Sequence, residues 1–226
     1  RLLMTYLNQD FLLQPYRELF MTNWTDGYVA DIDYTFDYYS ELNPQRLRLA
    51  FLNTGLHFPE VGTACELGCG QGMSVNLHSA ASVVQWSGTD FNAAHTQFAQ
   101  QLAEASETDT QLFDQSFAEF CSRTDLPDFD YIALHGAWGW MSDENRAVIV
   151  DFLRRKLKVG GVFYVSYNTQ AGWAAMMPMR ELLADHADIM GSEGQGSVAR
   201  FDSAVYFAEK LLATKPSYIR DNPKIA

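Results

Sequence analysis

A glycine-rich segment, A-C-E-L-G-C-G-Q-G at residues 64–72, constrains the fold of this chain more than any other feature. It follows an apolar run typical of a buried strand and precedes a stretch with helical spacing, which is the context in which a glycine loop binds a ligand. Its spacing is G-x-G-x-G, whereas dinucleotide sites have G-x-G-x-x-G, and no Lys-Ser or Lys-Thr pair follows it. The loop therefore excludes a P-loop and argues against an NAD-dependent oxidoreductase, which stays as a rival hypothesis.

Strand-like and helix-like segments alternate from residue 61 onward. We predict strands at 61–66, 83–89, 111–113, 131–135 and 162–167. We predict helices at 72–80, 92–106, 117–122 and 143–157, and a last one near 199–213, after a flexible break at 191–197. Strands joined through helices form right-handed βαβ units, so the pattern predicts a parallel sheet with helices on both faces. In the aromatic-rich lead-in, Asn43, Pro44 and Gly55 are interpreted as the cap, first residue and stop of one more helix.

Composition narrows the class of protein. The chain has 226 residues, of which 28 are acidic and 16 basic, so its formal net charge is −12. This charge disfavours non-specific DNA binding, which depends on Lys and Arg contacts with phosphates. The three cysteines form no disulfide framework, and no metal-ligand spacing, membrane-spanning run or signal-peptide core is visible. We therefore expect a cytoplasmic protein without nucleic-acid, membrane or metal partners.

Two acidic side chains lie at the predicted carboxyl ends of the first two strands. Glu66 precedes the first glycine of the loop, where a carboxylate repels a pyrophosphate and attracts an ammonium or sulfonium group. Asp90 follows Gly68 by 22 residues and ends the second strand, where a carboxylate accepts hydrogen bonds from the hydroxyls of an adenosine ribose. The alternative for Asp90 is a turn residue that caps the helix beginning near Asn92.

Together these motifs resemble those of the class I S-adenosylmethionine (SAM) methyltransferases over about residues 60–170. E-L-G-C-G-Q-G is similar to the first motif of that family, G-T-D-F to its second, F-D-Y-I-A-L-H-G (129–136) to its fourth, and L-K-V-G-G-V-F-Y-V-S (157–166) to the strand after it. The resemblance implies an α/β, Rossmann-like sheet with helices on both faces. It also implies a helical, aromatic lead-in at 1–58 that acts as a cofactor lid, a SAM-binding core at 59–170 and a helical extension at 171–226.

A narrower resemblance rests on H-G-A-W-G-W (135–140), on Y-V-S-Y-N-T (164–169) followed by G-W, and on the tyrosine-rich lead-in. These segments resemble bacterial proteins that join the methyltransferase domain to a methyltransferase regulatory domain. That group includes lysine methyltransferases that act on rickettsial outer-membrane proteins. In this family a helical insertion follows the fifth strand and more sequence follows the insertion. We find no convincing pair of closing strands after Tyr167, so the extension is expected to be irregular or cut short.

The resemblance assigns cofactor-binding roles to single residues. Glu66, Gly68 and Gly70 are expected to hold the methionine part of SAM, Asp90 its ribose, and Phe91 to pack near the adenine. The product would be S-adenosylhomocysteine (AdoHcy).

The adenine edge departs from the family pattern. Ser116 stands where the family usually has an acid that contacts adenine. Three alternatives stay open: the Ser116 hydroxyl, the backbone at Ser116 and Phe117, or the carboxylate of Asp114.

The segment H-G-A-W-G-W-M (135–141) is expected to border the methyl-transfer site, because ligands bind beyond the carboxyl ends of parallel strands. It lacks the N/D/S-P-P-Y/F motif of amino-directed DNA and glutamine methyltransferases, and it lacks a Pro-Cys nucleophile. His135 could accept a proton from the nucleophile, or its backbone and that of Gly136 could contact SAM. Trp138 and Trp140 could line the acceptor channel or face the sulfonium, or they could pack on the neighbouring helix.

Tyrosines complete the list of candidates. Tyr167 ends the fifth predicted strand at the same edge and is a third catalytic candidate besides His135 and Trp138. Tyr28, Tyr34 and Tyr39 are candidates for a lid over SAM, with ordinary packing as the alternative. The other four histidines are expected to be structural and without partners: His57, His78, His95 and His186.

The chain is thus predicted to be an enzyme of the EC 2.1.1 type that transfers a methyl group from SAM to an acceptor amine, in particular a protein lysine. A strong base is not required, because an apolar aromatic channel favours the neutral amine by lowering its pKa. The alternatives are a small-molecule N- or O-methyltransferase and a non-catalytic SAM-binding regulatory module. The sequence names neither the acceptor nor an oligomeric state.

Overall fold

A computed structural model of the chain describes residues 35–191 and 196–223. The chain divides between Tyr167 and Asn168 into two compact units.

The first unit contains a five-stranded parallel sheet flanked by helices, which confirms the predicted Rossmann-like α/β fold. Its strands are β1 (Thr63–Leu67), β2 (Gln85–Asp90), β3 (Gln111–Asp114), β4 (Phe129–Leu134) and β5 (Leu157–Val165). Its helices are α1 (Pro44–Asn53), α2 (Met73–Ala80), α3 (Ala93–Ala105), α4 (Phe117–Cys121) and α5 (Asp143–Lys156), and a 3-10 turn, Ser40–Leu42, precedes α1. The strand order is β3-β2-β1-β4-β5, so the order reverses beside β1. Ligands of open α/β sheets bind at that reversal, beyond the carboxyl ends of the strands.

Alternating side chains of β1 separate two hydrophobic clusters on the two faces of the sheet. Cys65 and Leu67 pack with residues of α4 and α5, whereas Ala64 packs with residues of α2 and α3. Since successive side chains of a strand point to opposite faces, a strand buried on both faces becomes almost wholly apolar. Glu66 shares the face of Ala64 and is the exception among these strand residues, which marks the end of β1 as a special position.

Three helix starts follow the expected capping chemistry. The side chain of Asn43 accepts a hydrogen bond from Gln45 N (2.9 Å), and that of Ser142 accepts one from Asn145 N (3.3 Å). The side chain of Asn92 caps α3. The polar oxygens thereby satisfy backbone N–H groups that have no partner inside the helix.

The fifth strand differs from its predicted bounds at both ends. It begins at Leu157 and ends at Val165, so Tyr167 lies beyond it. In the pairing of β4 with β5, Phe129 lies opposite Leu157, but Tyr131 lies opposite Val162. The segment around Gly160 therefore bulges out of the hydrogen-bond ladder between the two strands. Gly160 has φ +84°, a conformation that favours glycine. Because this bulge breaks the period-2 pattern, the sequence indicated only the second half of the strand.

The second unit is helical over its described residues. Its helices are α6 (Gln170–Trp173), α7 (Met177–Met190), α8 (Ser197–Ala213) and α9 (Ser217–Asp221). The imidazole of His186 on α7 stacks on the ring of Phe207 on α8, with centroids 4.7 Å apart, which contradicts the expectation that His186 has no partner. Over residues 168–191 and 196–223 the unit contains no strand. Within the described part of the chain, no helix is long and apolar enough to cross a membrane.

Candidate functional site

The glycine loop between β1 and α2 follows a left-handed path. Gly68, Gly70 and Gly72 have φ values of +69°, +53° and +71°, which L side chains rarely adopt. Gly68 N donates to Thr89 O at the end of β2 (2.8 Å). Gly70 N donates to the Asp90 Oδ2 atom (2.9 Å). These contacts hold the loop against the end of β2.

Asp90 fixes the loop and its own strand end at once. Its Oδ1 atom accepts from Asn92 N (3.0 Å), while Oδ2 accepts from Gly70 N. His95 Nδ1 lies 3.5 Å from Oδ1, so the expectation that His95 lacks a partner was wrong. The side chain of Asp90 is 11% exposed, and its Oδ2 atom keeps a lone pair for another donor. The contact between Asp90 and a ribose remains a prediction.

Glu66 is a buried carboxylate without a full set of partners. The residue is 4% exposed, and its Oε2 atom has no hydrogen-bond partner among the described residues. Burial, and then the nearby charge of Asp90, raises the pKa of Glu66 from 4.5 to about 8. A buried anion is costly unless it is paired, so this side chain either holds a proton or requires a cation.

A small cavity that is partly open to solvent lies beside the loop. Of the predicted site residues, its lining includes Tyr39, Glu66, Gly68 and His135. The lining does not include the remaining ones, which are Gly70, Asp90, Phe91, Ser116, Phe117, Gly136, Trp138 and Tyr167. The cavity therefore brings the two predicted methionine-site residues Glu66 and Gly68 together with His135 and with the lead-in.

The lead-in is fastened along the rim of this cavity. Tyr39 N donates to Ser74 Oγ on α2 (2.8 Å), and the Tyr38 hydroxyl lies 3.3 Å from His78 Nε2. The rings of Phe36 and Phe98 meet edge to face at 5.1 Å. Tyr39 lines the cavity, and the contact with Tyr38 gives His78 a partner, against expectation. Tyr28 and Tyr34 lie outside the described residues.

His135 carries a hydrogen-bond network that the sequence did not indicate. Its Nδ1 atom lies 3.1 Å from both the Tyr164 hydroxyl and Ser166 Oγ. Gly136 N donates to Ser166 Oγ (2.8 Å). Burial lowers the pKa of His135, while the carboxylate of Glu41 opposes that effect. The available signal was the spacing Y-V-S, because residues two apart on a strand share a face.

The adenine-side candidates occupy the start of α4. Ser116 Oγ donates to Glu119 Oε2 (2.8 Å) and accepts from Glu119 N (3.3 Å), which closes a capping box. Phe117 is buried and packs against Gly68, whereas Asp114 is exposed. The Ser116 hydroxyl and the Ser116 N–H group both donate to Glu119 Oε2, so both protons are already engaged in the capping box.

The proposed acceptor-side aromatics have different surroundings. Trp138 packs against the hydrophobic cluster that β1 forms with α4 and α5. Arg146 Nε donates a hydrogen bond to the carbonyl oxygen of Trp138 (3.2 Å). The Arg146 guanidinium lies 6.0 Å from the indole centroid. Trp140 is 61% and Tyr167 55% exposed. Packing accounts for the position of Trp138, and neither tryptophan nor Tyr167 reaches the cavity above the loop.

Metal and thiol chemistry find no support in the described residues. No group of three or more His, Cys, Asp or Glu side chains there could hold a metal ion. Cys65, Cys69 and Cys121 are buried free thiols, and burial raises the pKa of each. A thiol that stays protonated is a poor nucleophile.

Residues 64–161 match a family model described as a methyltransferase domain. An uncharacterised protein of Synechocystis is 40% identical over 205 residues, which are 88% of this chain and 40% of that protein. An uncharacterised protein of Rickettsia prowazekii is 28% identical and covers 66% of this chain and 61% of its own length. The chain thus spans less than two thirds of either relative.

Among solved structures, PKMT2 of Rickettsia typhi in complex with AdoHcy superimposes with a TM-score of 0.68. It is 23% identical, and the match covers 85% of this chain and 38% of that chain. At this identity the likeness supports the fold alone.

Proposed function

We propose that this chain, whose residues 64–161 belong to the class I SAM-dependent methyltransferases, binds SAM above the glycine loop and forms the cofactor-binding part of an enzyme that methylates an amine. The observation that carries this proposal is the buried carboxylate of Glu66, which lacks a partner at Oε2 and lines the cavity. A ligand with a cationic end supplies the missing partner. The methionine part of SAM carries both an ammonium and a sulfonium group, whereas a nicotinamide dinucleotide would bring a pyrophosphate beside this anion.

The residues present fit such a cofactor. Glu66 would pair with a cation of the methionine part, and the glycines allow the backbone to approach it closely. Asp90 would accept hydrogen bonds from the ribose hydroxyls while Gly70 N and Asn92 N hold its carboxylate in place. When bound, SAM supplies a methyl group on a sulfonium, which is already a good leaving group. The chain itself has to align the acceptor and exclude water.

We further propose that the acceptor is a lysine amine of a protein. The net charge of −12 attracts basic segments over a distance of about a Debye length. Desolvation of the bound lysine lowers its pKa and yields the neutral nucleophile without a dedicated base. The resemblance to bacterial proteins with a regulatory domain also supports this acceptor. The segments beyond this chain in its longer relatives are then candidates for binding the acceptor.

Mass spectrometry of the protein purified without added ligand tests the cofactor. We expect co-purified SAM or AdoHcy, and micromolar AdoHcy binding by isothermal titration calorimetry. A nicotinamide cofactor in its place would contradict the proposal. Incubation with radiolabelled SAM and protein or small-molecule amines then tests the acceptor. Label on lysine supports the lysine proposal, label on small molecules alone overturns it, and cofactor binding without any transfer favours a regulatory module.

Asp90→Ala is expected to weaken AdoHcy binding by about 2–3 kcal/mol, because hydrogen bonds to a charged group are lost and the loop loses its anchor at Gly70 N. Calorimetry at fixed salt measures the change. Asp151→Ala on the exposed surface of α5 removes a carboxylate of the same type and should leave affinity unchanged. Equal affinities of wild type and Asp90→Ala would remove Asp90 from the ribose site.

A further inference from the structure

Two hydroxyl oxygens lie beside His135 Nδ1 on the side of the ring that faces β5. Tyr164 and Ser166 place their hydroxyl oxygens 3.1 Å from the same ring nitrogen, Nδ1. The ring of Tyr39 lies against the imidazole, with ring centroids 4.4 Å apart and planes inclined by 32°. The imidazole is therefore held by contacts from β5 and from the lead-in, while His135 lines the cavity.

Two hydroxyl groups of this network are placed to donate a proton to Nδ1. Ser166 Oγ accepts from Gly136 N (2.8 Å), so its own proton is directed to another acceptor. The acceptors at hand are His135 Nδ1 and the Tyr164 oxygen, and the Tyr164 proton can in turn go to Nδ1. Donation by either hydroxyl would make Nδ1 an acceptor, whereas the opposite tautomer would have Nδ1–H donate to one of the two oxygens. A neutral imidazole with an accepting Nδ1 carries its proton on Nε2.

We propose that Tyr164 and Ser166 are positioning residues that hold His135 as its neutral Nε2–H tautomer, so that His135 donates a hydrogen bond to the α-carboxylate of the cofactor and does not accept a proton from the acceptor amine. This inference rests on the proposed binding of SAM. It gives His135 a role opposite to that of a general base, because the nitrogen that faces away from β5 already carries a proton.

The composition of the cavity explains why a neutral donor is needed there. The described lining contains the carboxyl groups of Asp37 and Glu66 and no Lys or Arg. The two acidic side chains suit the ammonium of the methionine part but not its carboxylate. Its carboxylate must therefore find neutral donors. The neutral polar side chains of the described lining are those of Thr35, Tyr39, Gln71, Ser74 and His135.

Two ligands separate this role from general binding. AdoHcy contains the carboxylate, whereas 5′-methylthioadenosine has the same nucleoside and lacks the whole amino-acid end. The double variant Tyr164→Phe/Ser166→Ala is expected to weaken AdoHcy binding about tenfold and to change 5′-methylthioadenosine binding less than about twofold. Tyr206→Phe on α8 and Ser106→Ala after α3 are matched controls and should change neither affinity. Unchanged AdoHcy affinity in the double variant, or equal losses for both ligands, would overturn the proposal.

The tautomer has its own readout. A long-range ¹H–¹⁵N spectrum of the histidine-labelled wild type at pH 7 should show His135 protonated at Nε2 and not at Nδ1, and His135→Gln identifies its signals. In the double variant we expect a mixture of tautomers. An Nδ1–H tautomer in the wild type would refute the assignment, whether or not AdoHcy binds. If the wild type binds neither ligand, the proposed function fails instead, and the spectrum still decides the tautomer.

Discussion

Glu66→Gln is expected to abolish the proton release that accompanies SAM binding and to weaken that binding by about 2–3 kcal/mol, which corresponds to roughly 30- to 150-fold. In the free protein, burial and Asp90 raise the pKa of Glu66 to about 8, so the carboxyl is mostly protonated at pH 6.5. A bound cation favours the carboxylate and returns the pKa toward its ordinary range. Binding at pH 6.5 therefore releases close to one proton, and affinity rises as the pH approaches 8.

Calorimetry in two buffers of different ionisation enthalpy measures this proton release directly. The wild type should release a proton at pH 6.5, and Glu66→Gln should release none. Glu104→Gln on the exposed side of α3 removes a carboxyl outside the cavity and should behave like the wild type. Equal losses for SAM and AdoHcy would place the ammonium, which both ligands share, next to Glu66. A wild type that binds SAM with no proton release would show that Glu66 does not pair with the cofactor.

The positions of Glu66 and Asp90 could be predicted because they depend only on local order. Each residue ends a strand whose apolar pattern is evident, and the carboxyl ends of parallel strands lie at the same edge of the sheet. The glycine spacing then identified the loop between them. What the sequence could not give is that Asp90 binds Gly70 N and faces His95, because these contacts depend on how β2, the loop and α3 meet in space.

The network around His135 escaped prediction for a related reason. It requires the pairing of β4 with β5, and that register shifts where the segment around Gly160 leaves the ladder. With the strand predicted to end at Tyr167, that residue seemed to be the tyrosine at the site edge. The register instead places Tyr164 against His135 and leaves Tyr167 exposed beyond the strand. A bulge of this kind changes which tyrosine faces the site without changing the apolar pattern.

Gly72→Ala is expected to destabilise the protein by about 3 kcal/mol, much more than a strained backbone angle alone would do. A Cβ atom at Gly72 would lie 2.4 Å from the Cβ atom of Ala99, so α2 and α3 would have to move apart. That movement would also disturb Asn76, whose amide nitrogen donates to Gly72 O (2.9 Å) and Ala99 O (3.0 Å). Denaturant unfolding followed by circular dichroism measures the loss.

Gly55→Ala separates the two contributions. Gly55 has φ +70°, nearly the same as Gly72 at +71°, but a Cβ there meets no atom within 4 Å. Its substitution should cost only about 1 kcal/mol of stability, which is the cost of the left-handed backbone conformation.

The double variant Gly72→Ala/Ala99→Gly tests the clash directly, because Ala99→Gly removes the methyl group that a Cβ atom at position 72 would meet. It should be more stable than the sum of the two single effects predicts, by more than about 1 kcal/mol, as contacting residues show in double-mutant cycles. If Gly72→Ala and Gly55→Ala lose the same stability, or if Ala99→Gly gives no recovery, the close approach of α2 and α3 is not the reason that position 72 requires glycine. A confirmed clash would mean that the third glycine of the motif, which lines the cavity beside Gly68, is required for the packing of α2 against α3.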